Sequence, residues 1–270
     1  MPGGKGCFRL FHGMIFAKGK STVKVVFHED FKQVYTGDPA AAAGRMEAII
    51  EIIKPHVEFF PSEPALRQDI AAVHTEMHIQ QVESQGLYEI ASLAAGGAIQ
   101  SAQIGLSEPC FGLIRPPGHH ASAASAWGFC CFNNMAVALE ALHRQHKIES
   151  ACVLDIDLHF GDGTLNILGK RNWVTVINVE AASRTHYLQE VEVSMKNCRA
   201  DLIGISAGFD NHAADWGGLL HTEDYDEIGW RVRSAADRIG GGCFAILEGG
   251  YNHEVLGQNV LALIRGMARG

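Results

Sequence analysis

No C-x-x-C pair occurs in the 270 residues, which excludes a thiolate zinc clamp and a thioredoxin-like redox motif. The seven cysteines are Cys7, Cys110, Cys130, Cys131, Cys152, Cys198 and Cys243. Their number is odd, and several sit inside apolar runs, where cysteine behaves as a small hydrophobe. They read as reduced and buried, which fits a cytoplasmic protein. No apolar run approaches the roughly 18 residues of a membrane helix, so no membrane association is expected. Positive charge is scarce: 22 Lys and Arg against 30 Asp and Glu leave −8. A field of that sign argues against direct nucleic-acid binding. With 19% charged and 47% hydrophobic residues, the composition is that of a folded protein, long enough for a large core. Histidine is what the chain has in excess, 14 residues in all.

Residues 1–22 differ from the rest. Arg9, His12 and Lys18 interrupt their apolar stretch, which makes a poor secretory signal. They are read as an N-terminal extension without an assigned role. From Val23 short apolar runs alternate with helical patterns, the grammar of βαβ units and a parallel sheet. Strands are expected at Lys24–Phe27, Phe111–Ile114, Ala151–Ile156, Val174–Val179, Leu202–Ser206 and Phe244–Leu247. Helices are expected at about 39–54, 75–82, 86–105, 132–147, 188–197, 223–239 and 253–267. Thr222, ahead of Glu223 and Asp224, reads as the hydroxyl cap of one of them. Gly240, Gly241 and Gly242 read as its C-cap and turn rather than a phosphate loop. No linker, repeat or low-complexity segment appears, so residues 23–270 are taken as one domain.

Four expected strands run into glycine-containing loops that carry histidine, carboxylate or tyrosine. These are Arg115-Pro-Pro-Gly-His119-His120, the stretch holding Asp157, His159 and Asp162, Asp210-Asn-His212, and Glu248-Gly-Gly-Tyr251-Asn252. Open parallel sheets bind ligands at the carboxyl ends of their strands, so these loops should converge on one cleft. Asp157 and His159 are two apart and fall on one side of an extended segment. With Asp210 they offer two oxygens and a nitrogen to a metal, leaving positions open for water and substrate. A solvated aspartate and a capped histidine would leave the same trace. The adjacent His119 and His120 each need a partner to fix the tautomer, and Asp155 and Asp162 are available. That makes a general-base arrangement, unless both rings only cap backbone groups. Tyr251 can hydrogen-bond to a developing oxyanion or simply pack its ring.

The segments Arg-Pro-Pro-Gly-His-His-Ala, Gly-Phe-Cys-Cys-Phe-Asn-Asn, Leu-Asp-Ile-Asp-Leu-His-Phe-Gly-Asp-Gly-Thr, Ser-Ala-Gly-Phe-Asp-Asn-His and Leu-Glu-Gly-Gly-Tyr-Asn follow one another in that order. Over residues 23–265 the chain thus resembles the histone deacetylase superfamily, in particular its class II and bacterial branches, with acetylpolyamine amidohydrolases and acetoin-utilisation proteins. The resemblance implies an α/β class fold, an arginase-like three-layer α/β/α sandwich with a mostly parallel sheet of about eight strands. It implies Zn²⁺, or Fe²⁺ in some members, on Asp157, His159 and Asp210. His120 would be the general base, paired with Asp162. His119, backed by Asp155, would be its electrostatic or proton-transfer partner. Tyr251 would polarise the acyl carbonyl. Phe129 would line a narrow tunnel, with the backbone of Gly128 holding the substrate amide. A monovalent cation, K⁺ or Na⁺, would sit on carbonyls of Asp155, Asp157 and His159 with the Asp155 and Asn178 side chains. The substrate would be an acylated small amine or an acetylated protein or peptide.

Three departures stand out. Only Glu180 to Asp201 separate two strands where members usually carry a longer segment with a second aromatic tunnel wall. The tunnel is then either open on one side or completed by another subunit of a homo-oligomer. The usual His-Pro-Glu-Arg is here Ala-Ala-Gly-Arg45, and Phe160 replaces a second histidine. Two rival readings remain. A two-manganese ureohydrolase would need further carboxylates where Gly161 and His212 stand. A non-enzymatic acyl-lysine-binding scaffold would keep the pocket, but it would have no need of Tyr251 and both histidines.

Overall fold

In the computed structural model, which describes residues 23–269, the apolar runs pair into one all-parallel sheet. Its strands are β1 (Val23–Phe27), β2 (Val57–Pro61), β3 (Cys110–Gly112), β4 (Ala151–Asp155), β5 (Val174–Asn178), β6 (Leu202–Ala207) and β7 (Gly242–Leu247). Their order is β2-β1-β3-β7-β6-β4-β5. The sheet has seven strands among the described residues, against the eight or so implied by the resemblance. The four central strands β3, β7, β6 and β4 are buried at every position, whereas β2 and β5 at the edges are only partly covered. Strands covered on both faces need uninterrupted apolar sequence, which is how the central ones were recognisable. β2 was not expected. Its Glu58 and terminal Pro61 suit an edge strand, where one side needs no ladder partner.

The helices are α1 (Arg45–Ile53), α2 (Arg67–Ile70), α3 (Glu76–Ser84), α4 (Tyr88–Gly105), α5 (Asn134–Arg144), α6 (Asp162–Leu168), α7 (Arg184–Asn197), α8 (Thr222–Ile239) and α9 (His253–Ala268). Right-handed crossovers decide their side of the sheet. The chain steps outward from β1 to β2, then the other way through β3, β4 and β5, then back through β6 and β7. That puts α4 and α5 on one face and α1, α7, α8 and α9 on the other, and the packing of α4 on α5, α8 on α9 and α1 on α9 agrees. The result is a three-layer α/β/α sandwich. Among the described residues no helix is long and apolar enough to cross a membrane.

Several expectations are corrected. The helix expected at 39–54 is split: a short 3₁₀ turn at Pro39–Ala41 precedes α1, which starts after Gly44 at φ 82°. α2 and α6 were not foreseen, and α7 starts at Arg184 rather than near 188. Thr222 does not cap α8. His221 occupies that position, its N–H donating to Asp224 Oδ2 at 2.8 Å, while the Thr222 hydroxyl donates to Asn259 Oδ1 at 2.7 Å. Gly240 does close α8, in the left-handed region at φ 68°. Five of the six described cysteines are buried and Cys130 is half-buried, all unpaired; Cys7 and the extension 1–22 lie outside the described residues.

Candidate active site

Strand order brings the four polar loops together. β3, β7, β6 and β4 are consecutive neighbours, so the loops leaving their carboxyl ends lie side by side. They bring Asp157 and His159 from the β4 loop to Asp210 from the β6 loop. His159 Nδ1 lies 3.2 Å from Asp157 Oδ1 and 3.0 Å from Asp210 Oδ2.

Backbone donors aim these acids. Asp157 Oδ1 accepts from His159 N (2.9 Å) and Oδ2 from Gly249 N (2.9 Å), while Asp210 Oδ1 accepts from Leu158 N (3.0 Å). Asp210 Oδ2 is buried and has only the 3.0 Å ion-pair contact with His159 Nδ1, with no well-formed hydrogen bond. Two glycines make the room. A Cβ on Gly249 would stand 2.6 Å from Asp157 Oδ2 and 2.8 Å from Asp210 Oδ2, and one on Gly208 would stand 2.1 Å from Asp157 Oδ2.

Both adjacent histidines find the predicted partners. His119 Nδ1 pairs with Asp155 Oδ2 at 3.1 Å, and His120 Nδ1 with Asp162 Oδ1 at 2.8 Å. Their rings lie against each other, tilted by 39°, with centroids 4.0 Å apart. Glu248 fixes the loop that carries them, its Oε2 accepting from Gly118 N (2.7 Å) and His119 N (3.3 Å). Tyr251 lines one apolar cavity of about 110 Å³ with His119, His120, His159, Phe129 and Gly128. Its ring meets Phe129 edge-on at 5.7 Å. Asp155, Asp157, His159 and Asn178 line a separate cavity of about 270 Å³. There the Asp155 carbonyl accepts from Val179 N, and Asn178 Oδ1 from Gly161 N.

The electrostatics favour a cation. Asp155, Asp157, Asp210 and Glu248 are all buried within one small region. Burial, then the Asp157 charge, pushes the Asp210 carboxyl up to about 6; burial pushes Glu248 up to about 7. The hydrogen bond to Asp157 and the adjacent Asp210 carboxylate raise His159 to about 10. Burial and the neighbouring His119 push His120 down to about 4, whereas the surrounding carboxylates overcome burial and raise His119. Burial raises the Asp162 carboxyl, but hydrogen bonds from His120 and Trp127 outweigh it and hold the group low. Burial also keeps the Tyr251 phenol protonated.

The donor set fits a divalent transition metal. Oxygen and nitrogen ligands about 2.1 Å from a tetrahedral ion stand roughly 3.4 Å apart, close to the spacings around His159. Asp210 Oδ2, without a well-formed hydrogen bond, is the atom such an ion would satisfy. His119, Cys130 and Glu248 also cluster, with Glu248 Oε1 likewise buried and unpartnered, but burial keeps the Cys130 thiol protonated, which removes the thiolate such a site would need. Among the described residues, neither cluster supplies the further bridging carboxylates of a two-manganese site. His212 instead accepts from Ala214 N through Nδ1.

Four residues of the site were not foreseen in these roles. Arg45, buried, donates to the carbonyls of Gly250 (2.9 Å) and Glu248 (2.7 Å), bracing the tyrosine loop. Glu248, which the sequence offers only as part of Glu-Gly-Gly-Tyr, anchors the histidine loop. Trp216 stacks on Tyr251 at 4.0 Å and stands edge-on to His159 at 6.1 Å, supplying an aromatic wall from the β6–α8 loop where the short 180–201 segment brings none. Trp127 packs on His120. Glycine next to these tryptophans (Gly128, Gly217) was the available signal.

An acid–imidazole triad at the carboxyl ends of a parallel α/β/α sandwich, beside two histidine–aspartate pairs, defines a hydrolytic class of site. The chain matches the family described as Histone deacetylase domain over residues 40–187 and 178–267, and it belongs to that family. A probable deacetylase of Methanothermobacter thermautotrophicus is 29% identical, over 83% of this chain and 84% of that protein. A histone deacetylase-like amidohydrolase of Pseudomonas aeruginosa is 27% identical, over 84% and 77%. Among solved structures, the HDA15 HD domain shares the fold, with a TM-score of 0.79 over 92% of this chain and 90% of that one at 22% identity.

Proposed function

We propose that this chain is a zinc-dependent amidohydrolase that removes acetyl or other short acyl groups from acylated amines. The observation that carries the reading is the convergence of Asp157, His159 and Asp210 around a buried Asp210 oxygen that lacks a well-formed hydrogen bond, next to His120 paired with Asp162. Zinc held by those three residues would acidify a water molecule and polarise the acyl carbonyl. His120 donates from Nδ1 to Asp162, which leaves Nε2 to take the proton of the attacking water. Its depressed pKa, set by burial and His119, keeps that nitrogen unprotonated and ready. His119, backed by Asp155, stabilises charge and returns a proton to the leaving amine. The Tyr251 hydroxyl donates to the oxyanion that develops on the carbonyl. Phe129 and Trp216 flank the acyl chain, and the backbone of Gly128 holds the amide. K⁺ or Na⁺ would bind at Asp155, Asp157, His159 and Asn178. The protein would work as one domain in the cytoplasm.

The test is turnover of a fluorogenic acetyl-lysine peptide by zinc-loaded protein, with and without chelator. Hydrolysis that chelation abolishes and zinc restores is expected. Tight peptide binding without turnover would instead make the chain an acyl-lysine-binding scaffold. A parallel screen of acetylputrescine, acetylspermidine and acetyl-lysine peptides identifies the amine.

A further inference from the structure

Trp127 is half exposed, at 53%, yet both its ring face and its indole N–H are engaged. Its indole lies over the His120 ring, centroids 3.7 Å apart and planes 32° from parallel. His119 covers the other face at 4.0 Å. His120 is therefore the middle of three closely packed, mutually tilted rings, confined from both sides. Rotation within the ring plane is set at the ring edge. Asp162 Oδ1 accepts from His120 Nδ1 at 2.8 Å, and Trp127 Nε1 donates to both Asp162 oxygens, at 3.1 and 2.9 Å. Asp162 is the first residue of α6 and its side chain is 45% exposed. Without the indole it would share its oxygens with bulk water and sample other rotamers. The backbone is built for this contact. Gly128 adopts φ +62°, and a Cβ there would stand 3.1 Å from His120 Cδ2. That turn sends Trp127 over His120 and Phe129 to Tyr251.

We propose that Trp127 is a positioning residue for the proton-accepting histidine: its indole N–H locks Asp162 and its face locks the His120 ring, so that Nε2 points at the site. This rests on the role proposed above for His120. Angular placement of a general base enters the rate directly, and small displacements near the reacting atoms cost orders of magnitude. A tunnel wall alone would act on substrate affinity instead, since Trp127 also borders the small cavity.

Trp127→Phe keeps the packed face and removes the donor; Trp127→Leu removes both. With the zinc-loaded full chain and an acetyl-lysine peptide, we expect kcat to fall about 10-fold for Trp127→Phe and about 100-fold for Trp127→Leu. KM should stay within about 2-fold and zinc stoichiometry should be unchanged. Trp127→Phe added to Asp162→Asn should cost no more than about 2-fold beyond Asp162→Asn alone, because both act through one carboxylate. A second readout needs no turnover. The His120 Nδ1 proton, identified in NMR spectra by its absence from His120→Ala, should be slow to exchange in the parent and broadened by exchange in Trp127→Phe. An unchanged kcat, a loss confined to KM, penalties that multiply with Asp162→Asn, or an unaltered Nδ1 proton would each overturn the proposal. A parent protein without amidase activity would sink the proposed function, while the proton resonance would still decide whether Trp127 holds the ring.

Discussion

Asp210 Oδ2 makes no well-formed hydrogen bond, its nearest polar neighbour being His159 Nδ1 at 3.0 Å, although Asp210 itself is fully buried. An unsatisfied carboxylate oxygen in that setting is costly unless a cation or proton meets it. Asp210→Ala should therefore abolish zinc binding, measured by metal content after dialysis. His120→Ala and Tyr251→Phe should keep the metal and lose on the order of 10²–10³-fold in kcat. Near-parental turnover by the tyrosine variant would remove its assignment. Gly249→Ala is a sharper probe, since its Cβ would press on Asp157 Oδ2 and Asp210 Oδ2 together. Zinc affinity should fall at least 10-fold by competition with a chromogenic chelator, with little change in far-UV circular dichroism. The residues brought together here were legible because spacing after a strand fixes the direction of side chains, as for Asp157 and His159. Trp127, Trp216 and Arg45 were not, because their positions depend on how separate loops pack, and no local period records that.

The same distinction operates one level up. β4, β6 and β7 could be read from continuous apolar runs, whereas β2, with Glu58 as its second residue and Pro61 as its last, carries no such signal. α4 shows what an element's sequence conceals. Gly96 and Gly97 lie inside an 18-residue helix, where each costs about 1 kcal/mol relative to alanine on propensity alone. By that reasoning Gly96→Ala should stabilise. The packing reverses the sign: a Cβ at 96 would stand 1.8 Å from the Glu63 carbonyl and 2.6 Å from Ala65 N. That stretch follows β2 and is tied to the helix by Ala65 N donating to the Ser92 carbonyl at 2.8 Å. Backbone cannot retreat without breaking the bond, so we expect Gly96→Ala to destabilise by about 1–3 kcal/mol in urea unfolding. A gain in stability would mean that this stretch can move away from the helix.

For the molecule as a whole, folding links distant segments through His74, and that linkage gives a pH dependence far from the acid triad. His74 Nδ1 donates to the Ser122 carbonyl at 3.0 Å, and its Nε2 accepts from Asn133 N at 2.9 Å. Asn133 in turn caps α5 through Ala136 N and donates to the Ala121 carbonyl and Thr164 Oγ1. One neutral imidazole thus ties the segment before α3 to the start of α5 and to the loop carrying His119 and His120. A second proton would set an N–H against the Asn133 N–H. Burial, reinforced by neighbouring His78, accordingly pushes His74 down to about 4. The unfolded chain protonates this ring near 6.5, so between pH 6.5 and 4 it binds a proton that the folded chain refuses. Stability must fall as pH falls through that window, by about 1.4 kcal/mol per unit, and nothing is lost above it. Between pH 7 and 5 the loss from this residue should be about 2 kcal/mol. The buried acids titrate in parent and variant alike, so the difference between the parent and His74→Gln in urea midpoint and slope isolates the histidine. The variant, whatever its stability at pH 7, should lose less on acidification. Equal losses in the two proteins would show that His74 takes up its proton while folded and that the Asn133 contact does not hold the neutral ring.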